Sequence, residues 1–405
     1  MDKPKHFTGQ PVFSQLLSLI PRSTINRLVR RYDSDRYCKK FKTYDHLVTM
    51  LFSVLQQCSS LRELTTGMQA CYGRLRHLGL NHTPRRTTLA DSNTHRPVAF
   101  FEDLYHDLYR QHYGNLPDSL RGKKTLERLF IIDSTTVSLF STVLVGAGSF
   151  GLNGKKKGGI KAHLLVRAKD NLPCFVRLTE ARQNDRAFLP YISVPEGSIV
   201  VMDRGYKSYN RLRIWTSQKV SWITRPEVSA VYSIVGGNVV TDKEELAGII
   251  ADYFIDLGNP ITQRRQAIQR ARMIVYYDEQ SQKTYEFITN NFRLSASVIA
   301  DLYKQRWQIE TLFKRIKQNF NLHNFLGDNE NAIRIQLWCT LIADLLVKIT
   351  KDKMTKRNWA MANLTGLVRL HLFTYIDLRY FLQFPDKALL AYENPSEVQM
   401  SLFKT

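Results

Sequence analysis

Residues Tyr303 to Lys317 constrain this chain more than any other stretch. Ser295 offers an N-cap, and neither Gly nor Pro follows it until Gly327, so one continuous helix is expected. On a wheel turning 100° per residue, Tyr303, Arg306, Glu310 and Lys317 fall within about 60° of arc. Leu302, Ile309, Phe313, Ile316 and Phe320 form an apolar stripe beside them. An isolated Arg–Glu pair at this spacing is ordinary in an amphipathic helix. The full spacing Tyr-x2-Arg-x3-Glu-x6-Lys is not ordinary: a carboxylate flanked by Arg and Lys suits a site that holds a metal and an anionic substrate. Trp307 falls just outside the polar arc and away from the apolar stripe. Its ring is expected either to border the cleft, where it could stack on a base, or to pack against a neighbouring element.

Such a site needs further carboxylates, and two apolar strands offer them. Leu129-Phe130-Ile131-Ile132 delivers Asp133, followed by Ser134-Thr135-Thr136. Ser198-Ile199-Val200-Val201-Met202 ends at Asp203-Arg204-Gly205-Tyr206. An Asp at the end of a buried strand is costly unless something pairs with it, although a turn-capping Asp is the common alternative. Ile160–Ala168, Pro173–Leu178 and Val220–Thr224 are expected strands, and so are Val239–Val240, Arg272–Tyr277 and Thr284–Thr289. Residues 226–283 form a mostly β insertion before the long helix. The order of elements suggests an α/β ribonuclease H-like core in which Asp133, Asp203 and Glu310 converge. Three carboxylates provide the hard oxygen ligands that Mg²⁺ prefers. Two such ions activate water and relieve charge at a phosphodiester. Gly146 to Gly151 fits Gly-x-Gly-x-x-Gly, but Leu152 to Gly159 cannot open the helix that a dinucleotide site requires. The lysines Lys155 to Lys157 on this loop suit phosphate contact instead.

Net charge enters where the substrate does. A formal charge of +22 and a pI near 9.8 call for a polyanionic partner, with nucleic acid first. From Arg204 to Arg225 the chain carries Arg204, Lys207, Arg211, Arg213, Lys219 and Arg225 and no acidic residue, which suits a DNA backbone. Residues 1–120 are expected to be helical. Arg22, Arg27, Arg30 and Arg31 mark one basic face, and Pro84 to Asn93 begins like a groove-reading helix. Residues 326–405 are expected to be helical again. No apolar run is long enough to span a bilayer, and Asp344 breaks the nearest one, Leu337–Leu346. With no apolar signal core behind the N-terminus, a cytoplasmic, nucleoid-associated location is expected. The five cysteines have neither Cys-x-x-Cys nor zinc-finger spacing and are expected to be reduced thiols.

Asp133 in Ile-Ile-Asp-Ser-Thr, the Asp203-Arg204-Gly205-Tyr206 block and the Tyr303, Arg306, Glu310, Lys317 set together resemble the DDE transposases of bacterial insertion sequences. The branch is the one with the Tyr-Arg-Glu-Lys signature, the insertion sequence four family. The resemblance covers residues 128 to 325. It implies an enzyme that binds the inverted-repeat ends of its element, cuts them and joins the 3′-OH ends to target DNA. It implies catalysis by Asp133, Asp203 and Glu310 on two Mg²⁺ ions, with Mn²⁺ able to substitute. Tyr303, Arg306, Lys317, Arg204, Lys207 and Trp307 would contact DNA, and the chain would act as a homodimer in the synaptic complex. The expected domains are an end-binding domain at 1–120, a catalytic domain at 121–325 and a helical region at 326–405. Members of the branch commonly pass through a hairpinned end helped by a Trp from the β insertion. This chain has no Trp between Trp222 and Trp307, which leaves Tyr253, Tyr276 or Trp307 for that place. A nuclease of the same fold without strand transfer, and a DNA-binding relic acting as a repressor, are the alternatives.

Overall fold

Leu129, Phe130, Ile131 and Ile132 are fully buried on both faces of one strand, and the rest of the sheet is laid out from it. The computed structural model describes residues 9–138, 149–150, 156–157, 159–206, 208–258, 269–320 and 325–387. These fall into two compact units, one of residues 115–313 and the other of residues 1–114 with 314–405. The N-terminal and C-terminal helical regions therefore share a unit, and the boundaries fall at 114 and 313 instead of at 120 and 325.

The helical unit contains α1 (Val12–Leu17), α2 (Arg22–Tyr32), α3 (Thr43–Leu55), α4 (Leu61–Ala70), α5 (Arg86–His95) and α6 (Val98–Tyr113). From the C-terminal part it takes α12 (Glu330–Met354), α13 (Met361–Leu370) and α14 (Leu378–Gln383). The long α12 packs on α3 and α6 and is buried over most of its length. Asp344 within it is tolerated because the Arg315 fork donates to both its oxygens, at 3.1 and 2.8 Å.

The other unit starts with the short α7 (Thr125–Arg128) and carries a nine-stranded sheet. Its strands are β1 (Leu129–Ser138), β2 (Gly159–Arg167), β3 (Leu172–Glu180), β4 (Ile199–Met202), β5 (Ser221–Thr224), β6 (Tyr232–Gly237), β7 (Ile249–Leu257), β8 (Gln269–Asp278) and β9 (Lys283–Thr289). The spatial order is β3-β2-β1-β4-β5-β9-β8-β7-β6. At the centre β1, β4 and β5 are parallel, and the stretches Leu129–Ile132, Ile199–Met202 and Trp222–Ile223 that pair there are apolar and buried, as strands covered on both faces must be. The β2–β3 hairpin lies antiparallel on one side. On the other side the insertion extends the same sheet through β9. α8 (Tyr209–Ser217) crosses between β4 and β5, and α9 (Asp242–Leu246) lies between β6 and β7. Phe188, Trp215 and Trp222 fill the core on one face. α10 (Ala296–Lys304) packs against β4, β5, β8 and β9.

The structure departs from the sequence expectations at three places. The strand in the insertion is Tyr232–Gly237, not Val239–Val240. β7 was not expected, because acids interrupt Ile249 to Leu257; Asp252 sits inside since Arg272 on β8 clasps it at 2.6 and 2.5 Å. The helix expected to run unbroken through Tyr303 divides at Gln305–Arg306 into α10 and α11 (Trp307–Asn319). There the ladder tightens: Arg306 N–H donates to Tyr303 O at 3.0 Å and Gln308 N–H to Gln305 O at 3.0 Å, both i to i+3. Of the glycine-rich loop, only a short strand pair, Ser149–Phe150 with Lys156–Lys157, is among the described residues.

Candidate active site

Asp133 lies on β1 and Asp203 is the first residue beyond β4. The two strands are parallel neighbours, with Ile132 opposite Met202, so the aspartates stand side by side where that parallel pairing ends. Adjacent strands stand about 4.8 Å apart, which puts the two carboxylates at one strand end. Asp133 Oδ1 accepts from the Ser134 N–H at 2.8 Å, while Gly205 N–H approaches Asp203 Oδ2 at 3.4 Å.

Glu310 is on the first turn of α11, and Arg306 is in the tight turn just before it. The Arg306 guanidinium links the two regions. Nη1 donates to Asp133 Oδ2 at 3.0 Å and Nη2 to Glu310 Oε1 at 2.8 Å. The Arg306 side chain is 14% exposed and that of Asp133 17%, whereas that of Glu310 is 52% exposed. Burial pushes the Asp133 carboxyl up to about 6; Ser134 N–H and Arg306 oppose the shift, and Asp203 and Glu310 reinforce it. Burial would lower Arg306, but Tyr303, Asp133 and Glu310 hold it above its ordinary value. Among the described residues, no three His, Cys, Asp or Glu side chains stand close enough as placed to hold a metal ion. The donor set is nevertheless three hard-oxygen groups, and a cation, the guanidinium, already bridges two of them. Three such oxygen donors are the ligand type that a hard divalent ion takes.

Tyr303 is buried rather than presented on a polar face. Its ring packs on Phe287 at 4.5 Å between centroids, and burial pushes its hydroxyl up to about 12. Trp307 is 61% exposed and lines a cavity of about 580 Å³ beside α10. Tyr276, Tyr285, Phe287, Tyr303 and Lys304 line it as well, so the Trp ring faces the insertion across an aromatic cleft. Arg204 is exposed next to Asp203. Lys317 is half-buried on the part of α11 that belongs to the helical unit, and Lys207 lies outside the described residues.

Sequence reasoning missed a second polar group at the same strand end. Asp185, at the start of a 3₁₀ turn, accepts from Ser134 Oγ at 3.1 Å and from Lys161 Nζ at 3.0 Å. His163, opposite Ser134 in the β1–β2 ladder, shares hydrogen bonds of 3.0 Å with the Tyr206 hydroxyl and with Thr179 Oγ1. Burial lowers His163 to about 4. A signal was available: Lys161-x-His163 places two polar residues on one face of an otherwise apolar strand.

Residues 124–346 match the family model described as a transposase DDE domain, and residues 8–81 match a domain of unknown function. The chain is 30% identical over 303 residues to "Putative transposase y4zB" of Sinorhizobium fredii, covering 73% of this chain and 80% of that one. It is 27% identical to "Probable transposase for insertion sequence element IS5377" of Geobacillus stearothermophilus, over 62% of this chain and 63% of that one. Among solved structures, a piggyBac transposase synaptic complex with hairpin DNA is similar at a TM-score of 0.45 and 11% identity, over 90% of this chain and 79% of that one.

Proposed function

This chain belongs to the DDE transposase family, and from that premise we propose that it binds the inverted-repeat ends of its own mobile element, cuts them, and joins the 3′-OH ends to target DNA. Family members are enzymes of DNA cleavage and strand transfer that use divalent metal ions. The observation that carries the reading is the in-register pair Asp133 and Asp203, tied to Glu310 through one guanidinium. The strand order β3-β2-β1-β4-β5, antiparallel then parallel, supports a ribonuclease H-like core.

Asp133, Asp203 and Glu310 would hold two Mg²⁺ ions, or Mn²⁺ in their place. When bound there, such ions would supply an activated water or 3′-OH and would offset the charge that develops on the phosphate. The protein's part is positioning. Ser134 N–H fixes one Asp133 oxygen, leaving the other to face the site. Arg306 would turn its fork from carboxylates to a phosphate beside the scissile bond, a geometry that only a planar donor pair satisfies. Tyr303 braces Arg306 from its buried seat, while Arg204, Lys207 and Lys317 would meet the DNA backbone. Trp307 and the aromatic cleft could receive an extruded base, which keeps a hairpin step open to this chain. The exposed Arg85, Arg86 and Thr87 at the start of α5 support end binding by residues 1–120. Two copies would bring paired ends together.

A supercoiled plasmid carrying paired inverted repeats tests the reading. Joined products are expected with Mg²⁺. Asp133→Asn, Asp203→Asn and Glu310→Gln should each abolish cutting and joining while end binding persists. Cleavage without joining would leave a nuclease; binding alone would leave a DNA-binding relic.

A further inference from the structure

We propose that Asp185 is a positioning residue for the aspartate pair, fastening the strand that carries Asp133 to the turn that carries Asp203. The inference rests on the reading of Asp133 and Asp203 as metal ligands.

Asp203 has little of its own to hold it. Among the described residues its side chain receives one long approach from Gly205 N–H, at 3.4 Å, and it stands beyond the last ladder residue of β4. What fixes its turn is Tyr206. The Tyr206 N–H donates to Asp203 O at 3.1 Å, and its ring is 1% exposed. The Tyr206 hydroxyl meets His163 Nδ1 at 3.0 Å and also hydrogen-bonds Ser134. Ser134 is the residue after Asp133, and its hydroxyl donates to Asp185 Oδ1. The other Asp185 oxygen faces the turn. An ideal Cβ on Gly205 would stand 3.5 Å from Asp185 Oδ2 and 3.9 Å from Asp203 Oδ2, so the glycine lies between the two carboxylates.

The chain Asp185–Ser134–Tyr206–His163 thus links the 3₁₀ turn, β1, the Asp203 turn and β2, and His163 Nδ1 comes back to 3.7 Å from Asp185 Oδ1. Lys161 Nζ pairs with Asp185 Oδ1 at 3.0 Å and holds the carboxylate from the β2 side. Strand alternation puts Ser134 and Asp133 on opposite faces of β1. Asp185 therefore acts on Asp133 through Ser134, as a positioning residue. Groups that orient ligands from behind typically alter metal affinity by 10–100-fold when removed.

The test is Mn²⁺ binding to the full-length chain without DNA, by titration calorimetry, beside thermal melting. For Asp185→Ala we expect Mn²⁺ to bind at least 10-fold more weakly, DNA-end affinity measured in Ca²⁺ to be unchanged, and cleavage to recover when Mn²⁺ is raised. Ser134→Ala, which removes only the hydroxyl link, should weaken Mn²⁺ binding in the same direction and decides the matter if Asp185→Ala does not fold. Asp185→Glu should restore part of the loss. Wild-type Mn²⁺ affinity in a folded Asp185→Ala or Ser134→Ala chain overturns the inference. Asp133→Asn is the control: if it too binds Mn²⁺ normally, the metal-ligand reading fails, whereas loss there with none at Asp185 sinks this inference alone.

Discussion

Arg306 is the residue that ties two carboxylates together, Asp133 and Glu310. Its two contacts need a rigid fork, and a lysine could satisfy one of them but not both. Arg306→Lys should therefore lower the single-turnover cleavage rate by roughly 10-fold or more, since one charge-assisted bond is worth about 1.5–3 kcal/mol. Equal rates in a quenched time course would count against the role. The residues of the site were legible to different degrees. Asp133 and Asp203 could be found because each follows an apolar run. Glu310 could be found from its spacing to Arg306. The burial of Tyr303 could not, because it depends on Phe287 arriving from β9, a contact that a wheel drawn for one helix does not contain.

Among elements, β7 and β8 share one buried ion pair besides their ladder. Asp252 and Arg272 are each 4% exposed and clasped by two hydrogen bonds. Arg272→Ala should destabilise the chain by about 3–5 kcal/mol, because it strands a carboxylate away from water. A double change of Asp252 and Arg272 to apolar residues of similar volume should cost far less. Urea unfolding of the three chains checks both statements. The same pair explains why β7 was hidden in the sequence: an acid in a strand looks like solvent exposure until its partner is known. The helix break at Gln305–Arg306 was hidden for a related reason. Neither Gly nor Pro marks it, and the pull of Asp133 on Arg306 is a tertiary force. The parallel centre, by contrast, was plain, because strands buried on both faces must be apolar throughout.

At the scale of the whole molecule, charge and histidine burial make two measurable statements. A chain of +22 should bind DNA with an affinity that falls steeply with salt, by a log–log slope of about −0.9 for each phosphate contact. A flat response in fluorescence anisotropy between low and moderate salt would refute it. Burial lowers His46 to about 3 and His106 and His163 to about 4. All three are depressed, so the unfolded chain binds more protons than the folded one below the ordinary histidine value of 6.5. Stability should be full above that value and fall as pH drops from 6.5 toward 4, by up to about 1.4 kcal/mol per pH unit for each histidine. Melting temperatures at pH 7.5, 6 and 5 test it, and His46→Gln should flatten the slope. The Arg306 bridge has a consequence of its own for order of assembly. A guanidinium tied to two acids is an internal counter-ion, and a phosphate that draws it away leaves those acids uncompensated. Metal and nucleic acid would then arrive as allies rather than as independent guests, each raising the other's affinity by the same factor. A chain off its element's ends would bind metal measurably but more weakly than on them, and would be slow to cut. Mn²⁺ titrations with and without end DNA should show the gain, and Arg306→Ala should erase most of it.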